Sequence, residues 1–89
     1  MLGVPRVSEF FGIIIAMYYS DHSPPHFHAR YGEHEATVRI DTLGILDGSL
    51  PRRAYGLVLE WAALHREDLT ANWERARDGA SLARIAPLE

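Results

Sequence analysis

Two short segments near the middle of the chain alternate strictly between apolar and polar residues, which is the pattern of half-buried β-strands. Residues 26–31 and 35–41 show this pattern, and Gly32-Glu33 between them suits a two-residue type II′ turn. The predicted hairpin places Phe27 opposite Val38, Ala29 opposite Ala36, Arg30 opposite Glu35 and His26 opposite Arg39. Because apolar residues then meet apolar residues and Arg30 meets an opposite charge, the register is self-consistent.

This register gives the hairpin one apolar face, which we expect to pack on the core, and one polar face. The polar face contains His26, His28, Arg30, Thr37, Arg39 and Asp41. Two further strands are predicted around the hairpin. Residues 10–19 are β-branched and aromatic at both parities, which indicates a strand buried on both faces, and residues 43–46 form a short fourth strand. Residues 1–9 are predicted to be an N-terminal arm interrupted by Pro5.

The apolar spacing changes to three and four residues from Leu50, which predicts a helical segment over residues 49–78. Ser49 is a candidate N-cap, and we expect a break near residues 65–68 because one uninterrupted helix would be long for so small a domain. Gly79 suits the position after the last helix, and residues 79–89 are predicted to be a tail or a short edge strand. The fold class is therefore α+β: a three- to four-stranded, mostly antiparallel sheet followed by one or two C-terminal helices on one face.

Length and composition exclude several classes of protein. A chain of 89 residues is expected to form a single domain, and its small size favours a bound metal, a partner or a homo-oligomer. The absence of cysteine excludes disulfides, thiolate metal sites and cysteine nucleophiles. The net charge is −3, so any attraction for nucleic acid must be local. No apolar run is long enough to cross a membrane, and we expect a cytoplasmic location.

Three histidines fall within seven residues beside a rigid diproline, in the segment His22-Ser-Pro-Pro-His26-Phe-His28. On a strand, His26 and His28 point the same way, with Cβ atoms roughly 7 Å apart. One interpretation is a transition-metal site, for example for zinc, with His22, His26 and His28 as ligands. The spacing permits such a site without being diagnostic of it.

A second interpretation is general acid–base cleavage of RNA, with His26 and His28 as the catalytic pair. Arg30 and Arg39 would bind phosphate, Tyr18 or Tyr19 would add a hydroxyl group, and Asp21 and His22 would support the histidines. In a third interpretation, these polar groups only cover the solvent side of a sheet.

Several segments resemble a family of small bacterial proteins known only as a domain of unknown function. They are FFGIIIAMYY, DHSPPHFHARYGEHEA, LPRRA and LVLEWAALHRE, and the resemblance extends over roughly residues 5–89. The positions that match are Asp21, His22, Pro24, Pro25, His26, His28, Tyr31, Gly32, Glu33, Pro51, Arg52, Trp61 and Trp73. The resemblance implies the toxin half of a toxin–antitoxin operon, with a small antitoxin-like protein encoded nearby as partner. It implies no established reaction.

Three functional hypotheses follow from the residues and the resemblance together. The first is a toxin-like protein that acts on RNA, as a ribonuclease, through the polar hairpin face, which an acidic antitoxin segment would cover. The second is a non-catalytic interaction module with a structural histidine cluster, in which the Phe10-Phe11 end and the helix surface contact a partner. The third is a metal-dependent hydrolase.

Overall fold

Five strands are followed by two helices in the computed structural model, which describes residues 5–89. The strands are β1 (Arg6–Phe10), β2 (Ile13–Ala16), β3 (His26–Tyr31), β4 (His34–Arg39) and β5 (Ile45–Gly48), and the helices are α1 (Arg52–Leu64) and α2 (Arg66–Arg77). Each strand pairs antiparallel with the next, so the spatial order is β1-β2-β3-β4-β5. The α+β class is confirmed, with one strand more than predicted.

The central hairpin, β3 and β4, has the predicted register at every pair. Phe27 lies opposite Val38, Ala29 opposite Ala36, Arg30 opposite Glu35 and His26 opposite Arg39. Gly32 has φ +59°, and Glu33 is not among the residues with positive φ, as a type II′ turn requires. Only the bounds of β4 differ from the prediction: it begins at His34 rather than at residue 35 and ends at Arg39 rather than at residue 41.

The predicted N-terminal arm is wrong from Arg6 onward, where β1 begins; its first four residues lie outside the described part of the chain. A register shift between Arg6 and Ser8 makes Val7 and Ser8 consecutive buried residues. This irregularity removes the alternation that identifies a strand from sequence.

Two other predicted strand boundaries are also wrong. The apolar run over residues 10–19 is divided by a two-residue turn at Phe11-Gly12, so that it supplies the end of β1 and all of β2. The predicted fourth strand over residues 43–46 lies two residues later, as β5. Leu43 is instead a buried loop residue with φ +63°.

The break between the helices is confirmed and falls at His65. Pro51, and not Ser49, precedes the first residue of α1, and neither helix has a side-chain N-cap hydrogen bond. Gly79 follows α2 with φ +73°, as predicted for the position after a helix.

Both helices pack on one face of the sheet through a single apolar core. The largest buried side chains of this core are Trp61 from α1, Phe27 from β3 and Ile13 and Ile15 from β2. At ~25 cal/mol per Å² of buried apolar surface, such side chains each contribute about 1.5–3 kcal/mol. None of the described helices is long and apolar enough to span a membrane.

The C-terminal segment, residues 80–89, contains no strand, so the tail alternative is the one observed. It contacts both helices through hydrogen bonds. Asn72 is fully buried and binds Ala83 through two hydrogen bonds, and Trp61 Nε1 donates to Ala86 O at 2.8 Å. Ile85 N–H donates to Val7 O at 2.8 Å, which places the tail beside β1.

Candidate metal centre

The site lies at the end of the sheet where β3 begins, on the face of β3 opposite Phe27, where Trp73 of α2 also lies against His26. His26 and His28 point to this face because they are two residues apart on one strand. The loop over residues 17–25 leads back from β2 and places Asp21 above both rings. Because β3 is a central strand between β2 and β4, its two histidines are held on a rigid element.

One carboxylate oxygen of Asp21 joins the two histidines. Asp21 Oδ2 lies 2.8 Å from His26 Nε2 and 3.2 Å from His28 Nε2. The three ligand atoms lie within 4.8 Å of one another. The second carboxylate oxygen, Oδ1, accepts a hydrogen bond of 2.9 Å from the backbone N–H of His22. We call Asp21, His26 and His28 the Asp-His-His cluster.

The orientation of the His26 ring is determined by its other nitrogen. His26 Nδ1 lies 2.7 Å from the carbonyl oxygen of Pro24. A carbonyl can only accept a hydrogen bond, so Nδ1 must bear the proton. In the neutral ring, Nε2 then has a free lone pair directed at the Asp21 carboxylate. Two electron-rich atoms at 2.8 Å need a cation between them, either a proton or a metal ion.

His26 is also buried against the helical layer. Only 7% of the residue is exposed, and its ring packs at 5.1 Å from the ring of Trp73 in α2. His28 is more open to solvent: its ring contacts Tyr18 edge-on at 4.5 Å, and its Nδ1 lies 3.7 Å from Glu35 Oε2. The cluster therefore has one side closed by the protein and one side near solvent.

The pKa of the Asp21 carboxyl is below its usual value. Burial raises this pKa, but hydrogen bonds from His28, from the backbone N–H of His22 and from His26 lower it by more. The carboxylate is consequently ionised at neutral pH, which is the state that binds a metal ion.

The geometry fits a transition metal. Tetrahedral zinc, with bonds of ~2.0–2.1 Å, places its ligand atoms about 3.3 Å apart. The two nitrogen-to-oxygen distances of 2.8 and 3.2 Å need to open by only a few tenths of an ångström. The hydrogen bond from His26 Nδ1 to Pro24 O is the outer contact that usually orients a metal-binding histidine. Asp21, His26 and His28 could thus hold a divalent ion.

The cluster differs from the ligand set predicted from sequence. Asp21, predicted as a supporting residue, provides the third ligand atom in place of His22, which is exposed and contributes only its backbone N–H. The side chain of Tyr19 is exposed and makes no hydrogen bond among the described residues. Arg39 lies opposite His26, but Asp41 binds its guanidinium through two hydrogen bonds of 2.7 and 2.8 Å.

Beside His28, a shallow depression crosses the outer face of β2 and β3. It is lined by Arg6, Ile14, Ala16, Tyr18, His28, Arg30 and Glu35. Tyr18 and Arg30 were predicted as binding residues, and the structure places both next to His28. Arg6 was missed because it lies in the segment predicted as an arm. Each of the two arginines forms a long ion pair, Arg6 with Glu9 at 3.9 Å and Arg30 with Glu35 at 3.8 Å.

The fold and this cluster define a small α+β domain with a candidate two-histidine, one-carboxylate metal centre. A family model described as Domain of unknown function (DUF4160) matches residues 12–74, which include β2 to β5, the Asp-His-His cluster and most of both helices. The chain belongs to this family. Comparisons with curated proteins and with solved structures give no match.

Proposed function

We propose that the protein is a metal-dependent hydrolase of RNA and the toxin-like member of a bacterial toxin–antitoxin pair. Asp21, His26 and His28 are the metal ligands in this proposal. Its strongest support is the convergence of their three ligand atoms while Pro24 O holds the far side of the His26 ring.

The geometry favours ligand roles over acid–base roles for the histidine pair. A general acid or base must come within hydrogen-bond distance of the reacting group. Both nitrogens of His26 are already occupied, by Pro24 O and Asp21 Oδ2, and the ring is buried. His26 therefore has no free nitrogen to offer a substrate, whereas its Nε2 and Asp21 Oδ2 lie where both could bind one metal ion.

Three protein ligands leave a coordination position for water or substrate, as in catalytic rather than structural zinc sites. In that position a divalent cation bound by Asp21, His26 and His28 would supply hydrolytic chemistry, because coordination lowers the pKa of water to about 7. Tyr18 lies against His28 and would orient a group that enters from the depression.

RNA is the proposed substrate class because two cations line the depression beside the cluster. Arg6 and Arg30 are both exposed, and their ion pairs of 3.9 and 3.8 Å are long enough for a phosphate to compete for each guanidinium. A divalent ion at the cluster would also reverse the local negative charge of Asp21. This local change offsets the net charge of −3, which otherwise opposes the approach of RNA.

The toxin-like role rests on the resemblance of the sequence to proteins encoded in pairs, and the partner is a small antitoxin-like protein. The test is growth of a bacterial host after induction of the wild type, of His28→Ala and of His34→Ala. His34 is an exposed histidine at the start of β4, outside the cluster, and so provides a matched control. Total RNA is examined in the same cultures.

We expect growth arrest and RNA cleavage with the wild type and with His34→Ala, and neither with His28→Ala. Purified wild-type protein should lose RNA cleavage on chelation and regain it with zinc. Cleavage that persists in His28→Ala, or that is insensitive to chelation, contradicts the proposal.

A second candidate function is an interaction module in which the cluster only stabilises the fold. The packing of His26 on Trp73 favours this candidate. Asp21 of the loop over residues 17–25 contacts His26 on β3, and His26 packs on Trp73 of α2, so the cluster connects the loop to the helix. This candidate predicts bound metal without growth arrest or RNA cleavage by any variant.

A further inference from the structure

A second surface lies at the opposite end of the sheet from the Asp-His-His cluster. It is a groove between the tips of two hairpins and the first turns of α1, lined by Phe11, Tyr31, Arg53, Ala54 and Leu57. β3 connects the two regions, with His26 in the cluster and Tyr31 in the groove. Five residue steps at ~3.3 Å separate them by about 17 Å. An occupant of the groove therefore does not contact the cluster.

Phe11 is the most unusual residue of this groove. It is 60% exposed and has φ +49°, in the left-handed region. With Gly12 at φ +79° it forms a two-residue turn in which asparagine, aspartate or glycine is normally preferred at the first position. The conformation costs a phenylalanine roughly 1–2 kcal/mol, and its exposure returns little burial energy. The fold alone gives no reason for an aromatic side chain there.

Tyr31 extends the apolar surface next to Phe11. It is 40% exposed, and its ring covers Gly12, where an added Cβ would lie 3.5 Å from the tyrosine ring. Leu57, one turn into α1, is half-buried and closes the other side of the groove. Together these side chains offer a pocket for one aliphatic or aromatic anchor.

The rim of the groove is positively charged without compensation. Arg53 lines the groove, and Arg52 is its neighbour in the first turn of α1; both are exposed and have no ion-pair partner within residues 5–89. The first turn contains no acidic residue, so these two positive charges at the positive end of the helix dipole are not balanced within it. A negatively charged occupant would relieve this repulsion.

We infer that this groove binds an acidic segment of another protein, with one apolar side chain of that segment inserted between Phe11, Tyr31 and Leu57. The apolar pocket favours an apolar side chain, and the unpaired arginines favour acidic residues on either side of it. Of the Phe10-Phe11 pair considered from sequence, only Phe11 belongs to this surface, because Phe10 is 5% exposed and packs on Trp61. The inference does not depend on the metal centre or on RNA cleavage.

The test uses short random peptides displayed on phage and selected against the immobilised wild-type protein. The affinity of each selected peptide is then measured by fluorescence anisotropy for wild type, Phe11→Asn and Arg53→Glu. Two controls match these changes elsewhere: Leu64→Ser removes an apolar side chain that is 68% exposed, and Arg84→Glu reverses an exposed charge on the tail.

We expect the selected peptides to be acidic with an aliphatic or aromatic residue among the acids. Phe11→Asn and Arg53→Glu should each lower their affinity about tenfold or more, while the two controls stay within about twofold of wild type. Added salt should weaken binding to wild type more than to Arg53→Glu. Phe11→Asn should keep or raise the melting temperature, because asparagine suits the turn, so loss of binding cannot be attributed to unfolding.

Three outcomes overturn the inference. The first is a selection that returns no peptides or peptides without acidic residues. The second is equal binding by Phe11→Asn and by Leu64→Ser. The third is concentration-dependent self-association of the wild type that Phe11→Asn abolishes, since the occupant is then a second copy of the chain.

Discussion

His26 donates its Nδ1 proton to the carbonyl oxygen of Pro24 at 2.7 Å, and this contact directs its Nε2 at Asp21. The backbone of the loop thus selects which nitrogen is available to a cation. Asp21 Oδ2 also contacts His28 Nε2, so one carboxylate oxygen lies within hydrogen-bond distance of both the buried His26 ring and the half-buried His28 ring.

Asp21→Asn should abolish stabilisation by zinc while leaving the metal-free fold largely intact. The amide matches the carboxylate in shape, and its N–H group can donate to the free lone pair of His26 Nε2. Zinc at one hundred times its dissociation constant stabilises a folded protein by about 2.7 kcal/mol, which raises the melting temperature of a domain this size by on the order of 10 °C. Thermal melts with zinc and with chelator should show this shift for wild type only. An equal shift in Asp21→Asn would exclude Asp21 as a ligand.

Asp41→Asn should lower stability at neutral pH by a small amount that disappears in acid. The hydrogen bond from Arg39 lowers the pKa of Asp41 more than burial raises it. The stabilisation is therefore complete above the unfolded value of 3.8 and is lost as the pH falls through the lower folded value. Urea unfolding of both proteins should show a difference that is constant above pH ~5 and narrows below pH ~4. A difference that grows in acid would contradict this assignment.

Gly48→Ala should be strongly destabilising, and Gly79→Ala only mildly so. Both glycines have positive φ, +77° and +73°, so alanine is strained at either one by roughly 1–2 kcal/mol. A Cβ at Gly48 would also clash with the backbone oxygen of Glu35, whereas nothing lies within 4 Å at Gly79. Differential scanning calorimetry should therefore separate the two variants by at least about 1 kcal/mol. An equal loss of stability in the two variants would show that the backbone at Glu35 moves to accommodate the added Cβ.

Asn72→Ala should release the C-terminal tail. The buried amide accepts the N–H of Ala83 at 2.9 Å and donates to its carbonyl at 2.8 Å, so alanine leaves both backbone groups unpaired. We expect a loss of about 2–4 kcal/mol in urea unfolding and faster proteolysis within residues 80–89. Thr70→Ala is the control on the exposed side of α2 and should change stability by less than about 0.5 kcal/mol. An unchanged tail in Asn72→Ala would mean that Trp61 and Ile85 alone hold it.

The sequence was sufficient to predict the elements with regular periodicity. The β3–β4 register followed from strict alternation and a glycine-initiated turn. The helical stripe followed from its spacing, and the break near residues 65–68, found at His65, followed from the length of the segment. β1 could not be recognised, because its irregularity buries Val7 and Ser8 in succession. The Phe11-Gly12 turn was hidden for a related reason, since phenylalanine is not a residue that identifies a turn.

Of the three candidate ligands, only the two on β3, His26 and His28, could be paired from the sequence. His26 and His28 share a face whenever residues 26–31 form a strand, so their pairing follows from the sequence. The third ligand depends on the path of the loop over residues 17–25. This loop has no regular hydrophobic periodicity from which its conformation could be predicted. Asp21 and His22 are adjacent, and only the structure shows that the carboxylate turns inward while the imidazole stays exposed.

The most direct test of the metal centre is the metal content of untagged protein purified after metal-replete growth, measured by mass spectrometry for wild type, His26→Ala and His22→Ala. We predict about one equivalent of a divalent transition metal such as zinc in wild type and in His22→Ala, and almost none in folded His26→Ala. Circular dichroism confirms that the variants are folded. Wild type without metal, or loss of metal in His22→Ala with retention in His26→Ala, would contradict the assignment of Asp21, His26 and His28 as the ligands.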